Sequence, residues 1–296
     1  MTTATTMALD WIERYDNLDL LEPYWAALQA RCSDFTIYFW CTLTLSTLAL
    51  FGGSLVYALM DATPALRKYK IQPTKPPTIA LYLRCLKLAV GNHLLIHMGL
   101  LWVNLPLMQW LGISVSSPLP KPSTIALQFV VCMLMEDFCF YWCHRFLHWK
   151  RIYKHVHKVH HEYRAPFGLT AVYTHPLEEI LTTGATMAGP LLVCRHMLPI
   201  WIWTTYRLLE TIDSHSGFEF PLAPGHLIPI LSGTLRHDYH HEKFDCNFGS
   251  MFSFWDWVCG TDAAFREVQR AKAAKGEPCW LDVFDYLTPG VKTKTV

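Results

Sequence analysis

Four long apolar stretches, separated by shorter polar ones, set the plan of this chain. The first, Phe35 to Met60, runs for about twenty-six residues without a charge. That exceeds the ~20 residues a helix needs to cross a ~30 Å hydrocarbon layer, so it predicts a transmembrane helix. The second, Ile79 to Leu111, is interrupted early by Arg84 and Lys87, but its centre, Ala89 to Trp110, is long enough to span. The third, Thr124 to Trp142, carries Glu136 and Asp137 and leads straight into His144. The fourth, Ile180 to Leu209, is broken by Gly189-Pro190 and by Arg195-His196. Two short helices meeting at a turn, a hairpin that enters and leaves on one side of the membrane, fit it better than one clean span. The expected class is an all-α integral membrane protein. It divides into an amphipathic segment (1–34), a region of about three spans (35–142), a histidine-rich region containing the broken hairpin near 180–209 (143–262), and a C-terminal tail (263–296).

Charge orients this plan. Arg67, Lys68, Lys70 and Lys75 crowd the loop after the first span, and Arg145, Lys150, Arg151, Lys154 and Lys158 follow the third, whereas the Gly112 to Ser123 loop carries Lys121 alone. The positive-inside rule places the basic segments in the cytosol and the N-terminus in the lumen. The opening residues, MTTATTMALDWIERYDNLD, lack the basic start and apolar core of a secretory signal, so delivery to a membrane falls to a later hydrophobic segment. Lys292 and Lys294 in the ending VKTKTV have the KxKxx spacing of a cytosolic retrieval signal of endoplasmic-reticulum membrane proteins.

Composition agrees. The chain is 52% hydrophobic and 17% charged, against about 25% charged in soluble proteins. A formal net charge of +1 gives no bulk attraction to nucleic acid. The ten cysteines form no CxxC pair, and reduced thiols are expected rather than a disulfide framework or zinc ribbon.

The candidate chemistry lies in three boxes. His144 and His148 form an HxxxH, His157, His160 and His161 an HxxHH, and His237, His240 and His241 a second HxxHH, so eight of the fifteen histidines fall inside them. Positions three and four apart share a helix face, so each box can aim its imidazoles at one place. A structural zinc takes four ligands and a hydrolytic zinc usually three plus water; eight imidazoles are a two-metal number. Imidazole suits iron, zinc, copper and nickel alike. The HExxH pattern of zinc proteases is absent. Two irons beside a membrane point to oxygen activation, since unactivated C–H bonds need an oxidant that no side chain supplies. His93 and His97, four apart in the second span, lack a third partner and read as buried polar groups bonded to neighbours, as His155 and His226 read as structural. A zinc hydrolase remains a lesser alternative; a transporter would hold more histidines within its spans.

The boxes, in this order and after paired apolar spans, resemble the fatty acid hydroxylase/sterol desaturase superfamily of di-iron membrane enzymes. HKVHHEYRAPFGLTAVYTHPLEE (157–179), RLLETIDSHSGFEFPL (207–222), RHDYHHEKFDCNFGSMFSFWDWVCGTD (236–262) and RKYKIQPTKP (67–76) are similar, more narrowly, to the C-4 methylsterol monooxygenases. The resemblance covers about residues 65 to 262. It implies a transmembrane bundle with a cytosolic helical cap holding a di-iron site, and oxidation of a C-4 methyl of 4-methylsterols or 4,4-dimethylsterols to the carboxylate. It further implies O2 as co-substrate, electrons from NAD(P)H through cytochrome b5 and its reductase, and a separate sterol C-4 decarboxylase that consumes the acid. The eight box histidines are carried over as ligands, with His215 in DSHSG as a ninth. His175 is weighed between ligand and helix cap, and Glu219 between binding metal and orienting His215. Asp137, Asp213 and Asp238 are candidates for orienting imidazoles. Phe167, Tyr173, Phe248, Phe252, Trp255 and Trp257 stand as channel lining or, more commonly, core and interface anchors. Lys150, Arg151, Lys154 and Lys158 offer a basic face to an acidic cytochrome or to anionic head groups. Sterol desaturation and lipid hydroxylation need the same metals and remain alternatives.

Overall fold

The structure is a computed structural model and describes residues 16–287; Lys292 and Lys294, and the start of the amphipathic segment, lie outside the described residues. Among these residues there is no strand, only three isolated bridges. Helix α1 (Glu22–Arg31) precedes three helices long and apolar enough to cross a membrane: α2 (Thr36–Asp61), α3 (Ile79–Trp110) and α4 (Pro122–Leu147). The fourth apolar region forms two helices, α6 (Pro176–Val193) and α7 (Met197–Ser214), after the short α5 (Lys150–Tyr153). Short α8 (Pro224–Leu227), then α9 (Gly233–Lys243), α10 (Phe254–Cys259), α11 (Ala263–Ala274) and α12 (Val283–Leu287) follow among the described residues.

The hairpin turns at Cys194–His196, and its arms are longer than the apolar run suggested, 18 residues each, or about 27 Å. Gly189-Pro190, read from sequence as a break, lies inside α6. Proline removes one helical donor, and the Thr186 carbonyl it would have served accepts the Trp203 indole N–H of α7 instead, at 3.0 Å. The helix therefore continues because its partner satisfies the freed carbonyl. Gly189 serves the opposite face: a Cβ there would lie 2.7 Å from Cys132 Cα, so glycine lets α6 seat directly on α4.

The hairpin tip joins the α3–α4 loop, where Ser114 N–H donates to Arg195 and Met197 N–H to Ser114, both at 2.9 Å. Trp25 of α1 closes the same end by donating to the Val115 carbonyl at 2.7 Å. A core of Trp25, Ile37, Met108, Ile113, Met197 and Trp203 fills it. The opposite end carries the histidine boxes over a second core containing Tyr163, Phe167, Tyr173 and Ile212. Between them Arg207 bridges Glu136 at 2.8 Å, Glu210 and Ser250, pairing charges that would be costly to bury singly. Residues 263–287 are packed rather than loose: Phe265 and Trp280 are buried, and Arg236 of α9 pairs with Asp262 and Asp282. All ten cysteines are free thiols.

Candidate metal centre

Three elements converge at the histidine end. His144 leaves the last turn of α4 and His148 caps it; His157, His160 and His161 come from the turns that follow α5; His237, His240 and His241 lie on α9. His215, the C-cap of α7, is the ninth. The structure sorts all nine into two groups, His144, His148, His157, His161 and His240 in one and His160, His215, His237 and His241 in the other. This sorting cuts across the boxes. In each HxxHH the first and last histidines, four apart, go to one group and the middle one to the other, because the middle one points to a different side of the turn.

Within each group the ring nitrogens face one another. His161 Nε2 lies 3.2 Å from His148, 3.1 Å from His157 and 3.2 Å from His240. His215 Nε2 lies 3.2 Å from His160 and 2.8 Å from His237, which is 3.1 Å from His241. The opposite nitrogens explain which tautomer is held. Nδ1 of His144 donates to Phe248 O, of His240 to Cys246 O, of His241 to Tyr163 O and of His215 to Thr211 O, at 3.0, 2.6, 3.1 and 2.7 Å. His157 Nδ1 meets Glu178 Oε1 at 2.8 Å. With the proton on Nδ1, Nε2 of each of these five rings presents a lone pair inward. Lone pairs crowded at about 3 Å repel unless a cation lies between them, and two nitrogens about 2.1 Å from one ion at right angles are about 3 Å apart. The donor sets fit two metal ions.

Electrostatics points the same way. Burial, then the crowding of imidazole on imidazole, holds His157, His160, His161, His237, His240 and His241 well below the ordinary histidine range. His215 is pushed down to about 4, chiefly by burial. Neutral imidazole is the metal-binding form.

The acceptor loop is itself fixed. Asp256 accepts Phe248 N–H at 2.8 Å and Gly249 N–H at 2.7 Å, and a Cβ on Gly249 would strike Phe252 O at 2.6 Å. Sequence reasoning named other carboxylates: Asp137 accepts Phe252 N–H, Asp213 the Tyr57 hydroxyl and Asp238 the Gln72 amide. The carboxyl group that reaches a box imidazole is Glu178, whose position in the first turn of α6, two residues past a proline, carried no signal of its own. His175 is the N-cap of α6 and accepts Leu177 N–H at 3.1 Å. Glu219 pairs with His226 at 2.6 Å. His93 and His97 bond Thr47 and Ser46 at 2.7 and 2.9 Å.

A cavity opens against this double cluster. His144, His157, His160, His215 and His237 form its end wall; Glu178, Glu179, Arg207 and Thr211 stand beside them; Leu100, Leu101, Met108, Leu191 and Ile200 line it toward the hairpin tip. The six aromatics weighed as channel lining are elsewhere: Phe167 and Tyr173 belong to the core, and Trp255 packs on Phe138. Phe140 is the aromatic in the wall.

Residues 129–261 match the fatty acid hydroxylase family. A putative methylsterol monooxygenase of Dictyostelium discoideum is 36% identical over 264 residues, 88% of this chain and 98% of that protein. The C-4 methylsterol oxidase of Schizosaccharomyces pombe is 39% identical over 239 residues, 79% of this chain and 80% of that protein. A very-long-chain aldehyde decarbonylase of Oryza sativa subsp. indica is 35% identical over 260 residues, 87% and 97% of the two chains. No solved structure matches. With boxes, spans and relatives in agreement, the chain belongs to the methylsterol monooxygenase family of fatty acid hydroxylase-like proteins.

Proposed function

We propose that this chain is a membrane-bound, non-haem di-iron monooxygenase that oxidises a methyl group at C-4 of a sterol precursor, through alcohol and aldehyde, to the carboxylate. The observation that carries this reading is the pair of histidine clusters walling one end of a membrane-helix cavity. His144, His148, His157, His161 and His240 would hold one ion, and His160, His215, His237 and His241 the other. When bound, the ions supply the oxygen activation that an unactivated C–H bond requires.

The protein's own residues do the rest. Backbone carbonyls hold His144, His215, His240 and His241, and Glu178 stands against His157, so these five rings are oriented before the ions arrive. The cavity carries its charged groups, Glu178, Glu179 and Arg207, beside the histidines, and is lined beyond by Leu100, Leu101, Met108, Leu191 and Ile200 with neutral polar side chains such as Thr42 and Asn104 among them. An amphiphile enters such a space with its polar end at the metals. In a sterol the hydroxyl-bearing carbon neighbours C-4, so this polarity favours C-4 over the far side chain. Holding that methyl against the end wall lowers the barrier by orientation.

The histidine layer serves as a cap on the cytosolic side of an endoplasmic-reticulum membrane, with α1 and the α3–α4 loop on the luminal side. The hairpin supports this, since it returns the chain to the side from which it left and keeps all three boxes together. Electrons arrive from NAD(P)H through cytochrome b5 and its reductase, and the product acid passes to a sterol C-4 decarboxylase. A second reading, chemistry on a long-chain aldehyde, is favoured by the name of the rice relative.

Expression in sterol-auxotrophic cells lacking their own methyl oxidase, with iron supplied, tests the proposal. Rescue and clearance of 4-methylated precursors are expected, with rescue lost in His160→Ala. Persistent 4-methylsterols with the protein present in the membrane reject it, and a shortened hydrocarbon from added aldehyde favours the second reading.

A further inference from the structure

The double cluster has two faces. Five of the nine histidines line the cavity; His148, His161, His240 and His241 do not, and of these four His148 alone is only half-buried. On their side stand two partly exposed aromatic rings. Tyr153 lies 5.4 Å from His148 and 5.9 Å from His161, centroid to centroid, and Phe244 lies 5.2 Å from His161 and 6.4 Å from Tyr153. The Arg164 guanidinium sits over the Phe244 ring at 4.8 Å, and Arg164, Lys154 and Lys158 are exposed around the pair; of the exposed acids nearby, Glu242 pairs with Lys243 and Glu162 with Arg84, which leaves Asp245 against three cations.

Phe244 also occupies a position that its backbone disfavours. It ends α9 in the left-handed region, with φ 73, where helices commonly place glycine and where a bulky residue is a genuine outlier. A ring kept there against local preference is a pointer to function.

We propose that electrons enter the centre through Phe244 and Tyr153, delivered by an acidic one-electron carrier protein docked on the cationic surface around them. The inference rests on the monooxygenase reading. There, R–CH3 + O2 + 2 e⁻ + 2 H⁺ gives R–CH2OH + H2O, and two reduced haem-protein carriers are each oxidised by one electron. Electron transfer weakens steeply with the gap to be crossed. The cavity side is taken by substrate and membrane, so the carrier must approach where the opposite face is thinnest. Exposed cations there select an acidic partner and steer its encounter.

Phe244→Gly tests the ring without burdening the fold, because glycine suits this backbone. Iron-loaded full-length protein in detergent would be reduced, in separate runs, by the reduced soluble domain of cytochrome b5 and by dithionite, with the iron spectrum followed. Phe244→Gly is expected to slow reduction by the protein donor about tenfold or more while leaving iron content and the dithionite rate at wild-type levels, and Phe244→Trp should restore most of the loss. The double variant Lys154→Glu, Arg164→Glu should weaken donor binding to the metal-free protein about tenfold and flatten its salt dependence. An unchanged donor rate in Phe244→Gly overturns the proposal, as does equal slowing with both reductants, which would make the ring merely structural. If charge reversal affects binding to anionic lipid vesicles but not to the donor, the surface is a membrane contact and the docking assignment is wrong. Wild-type protein that takes up no reducible metal removes the inference together with the reading beneath it, a result separable from all the others.

Discussion

Glu178 shows how much of the candidate site lies outside the histidines themselves. Its Oε1 is 2.8 Å from His157 Nδ1, and both side chains are almost fully buried. Glu178→Gln keeps an oxygen beside His157 Nδ1 but replaces the carboxyl group, which can share or take the imidazole proton, by an amide that cannot. Metal affinity should fall about 10–100-fold, read by competition with a chelator; an unchanged affinity would reject the role. Protonation has a defined sign here as well. Burial lowers the folded pKa of His215 to about 4, below the unfolded value of about 6.5. Between these values the unfolded chain holds a proton that the folded chain does not, so stability falls as pH falls. The slope is about 1.4 kcal/mol per pH unit for one fully differential proton, and the other lowered imidazoles outside the spans add to it in the same direction. Asp238 and Asp262, raised to about 6 by burial, act in the opposite sense, so the contribution of His215 is read by difference: from pH 7 to 5.5 the metal-free wild type should lose melting temperature relative to metal-free His215→Gln, and parallel pH profiles of the two would contradict this.

At the scale of elements, the α4–α6 contact decides where the hairpin sits. Gly189→Ala places a Cβ 2.7 Å from the Cys132 Cα, a backbone atom that no rotamer change can move aside. Helix α6 must then shift, at about 1–3 kcal/mol, and a lower melting temperature in detergent with a wider α4–α6 separation by spin-label distances is the expected result. Wild-type stability and separation would show that the seat is softer than its geometry implies. The hairpin itself was legible in sequence as a break in an apolar run, but not its length or its turning point. A Gly-Pro pair reads as a helix end because proline forfeits a donor, and only the Trp203 indole, fourteen residues after Gly189 and on the other arm, makes that loss harmless.

Considering the molecule as a whole, the proposed orientation puts the two ends in different compartments. Asn-X-Ser/Thr acceptor sites inserted in the Gly112 to Ser123 loop should be glycosylated in microsomes, and sites inserted between Leu66 and Thr78 should not. The reverse pattern would invert the proposed orientation and place the histidine layer in the lumen.

Apolar run lengths and the spacing of His144 to His241 sufficed for the helical class, the candidate spans and eight of the nine clustered histidines, because both signals are periodic and local; His215, which belongs to no box, was reached only through the family resemblance. The division of those histidines into a group of five and a group of four was not legible, since neighbours in one box serve different groups. Nor were the backbone carbonyls of Phe248, Cys246 and Tyr163, which any residue type would provide, or the distinction between a cavity face and a Tyr153–Phe244 face. Each of these depends on which distant backbone the chain lays against an imidazole, and packing alone decides that.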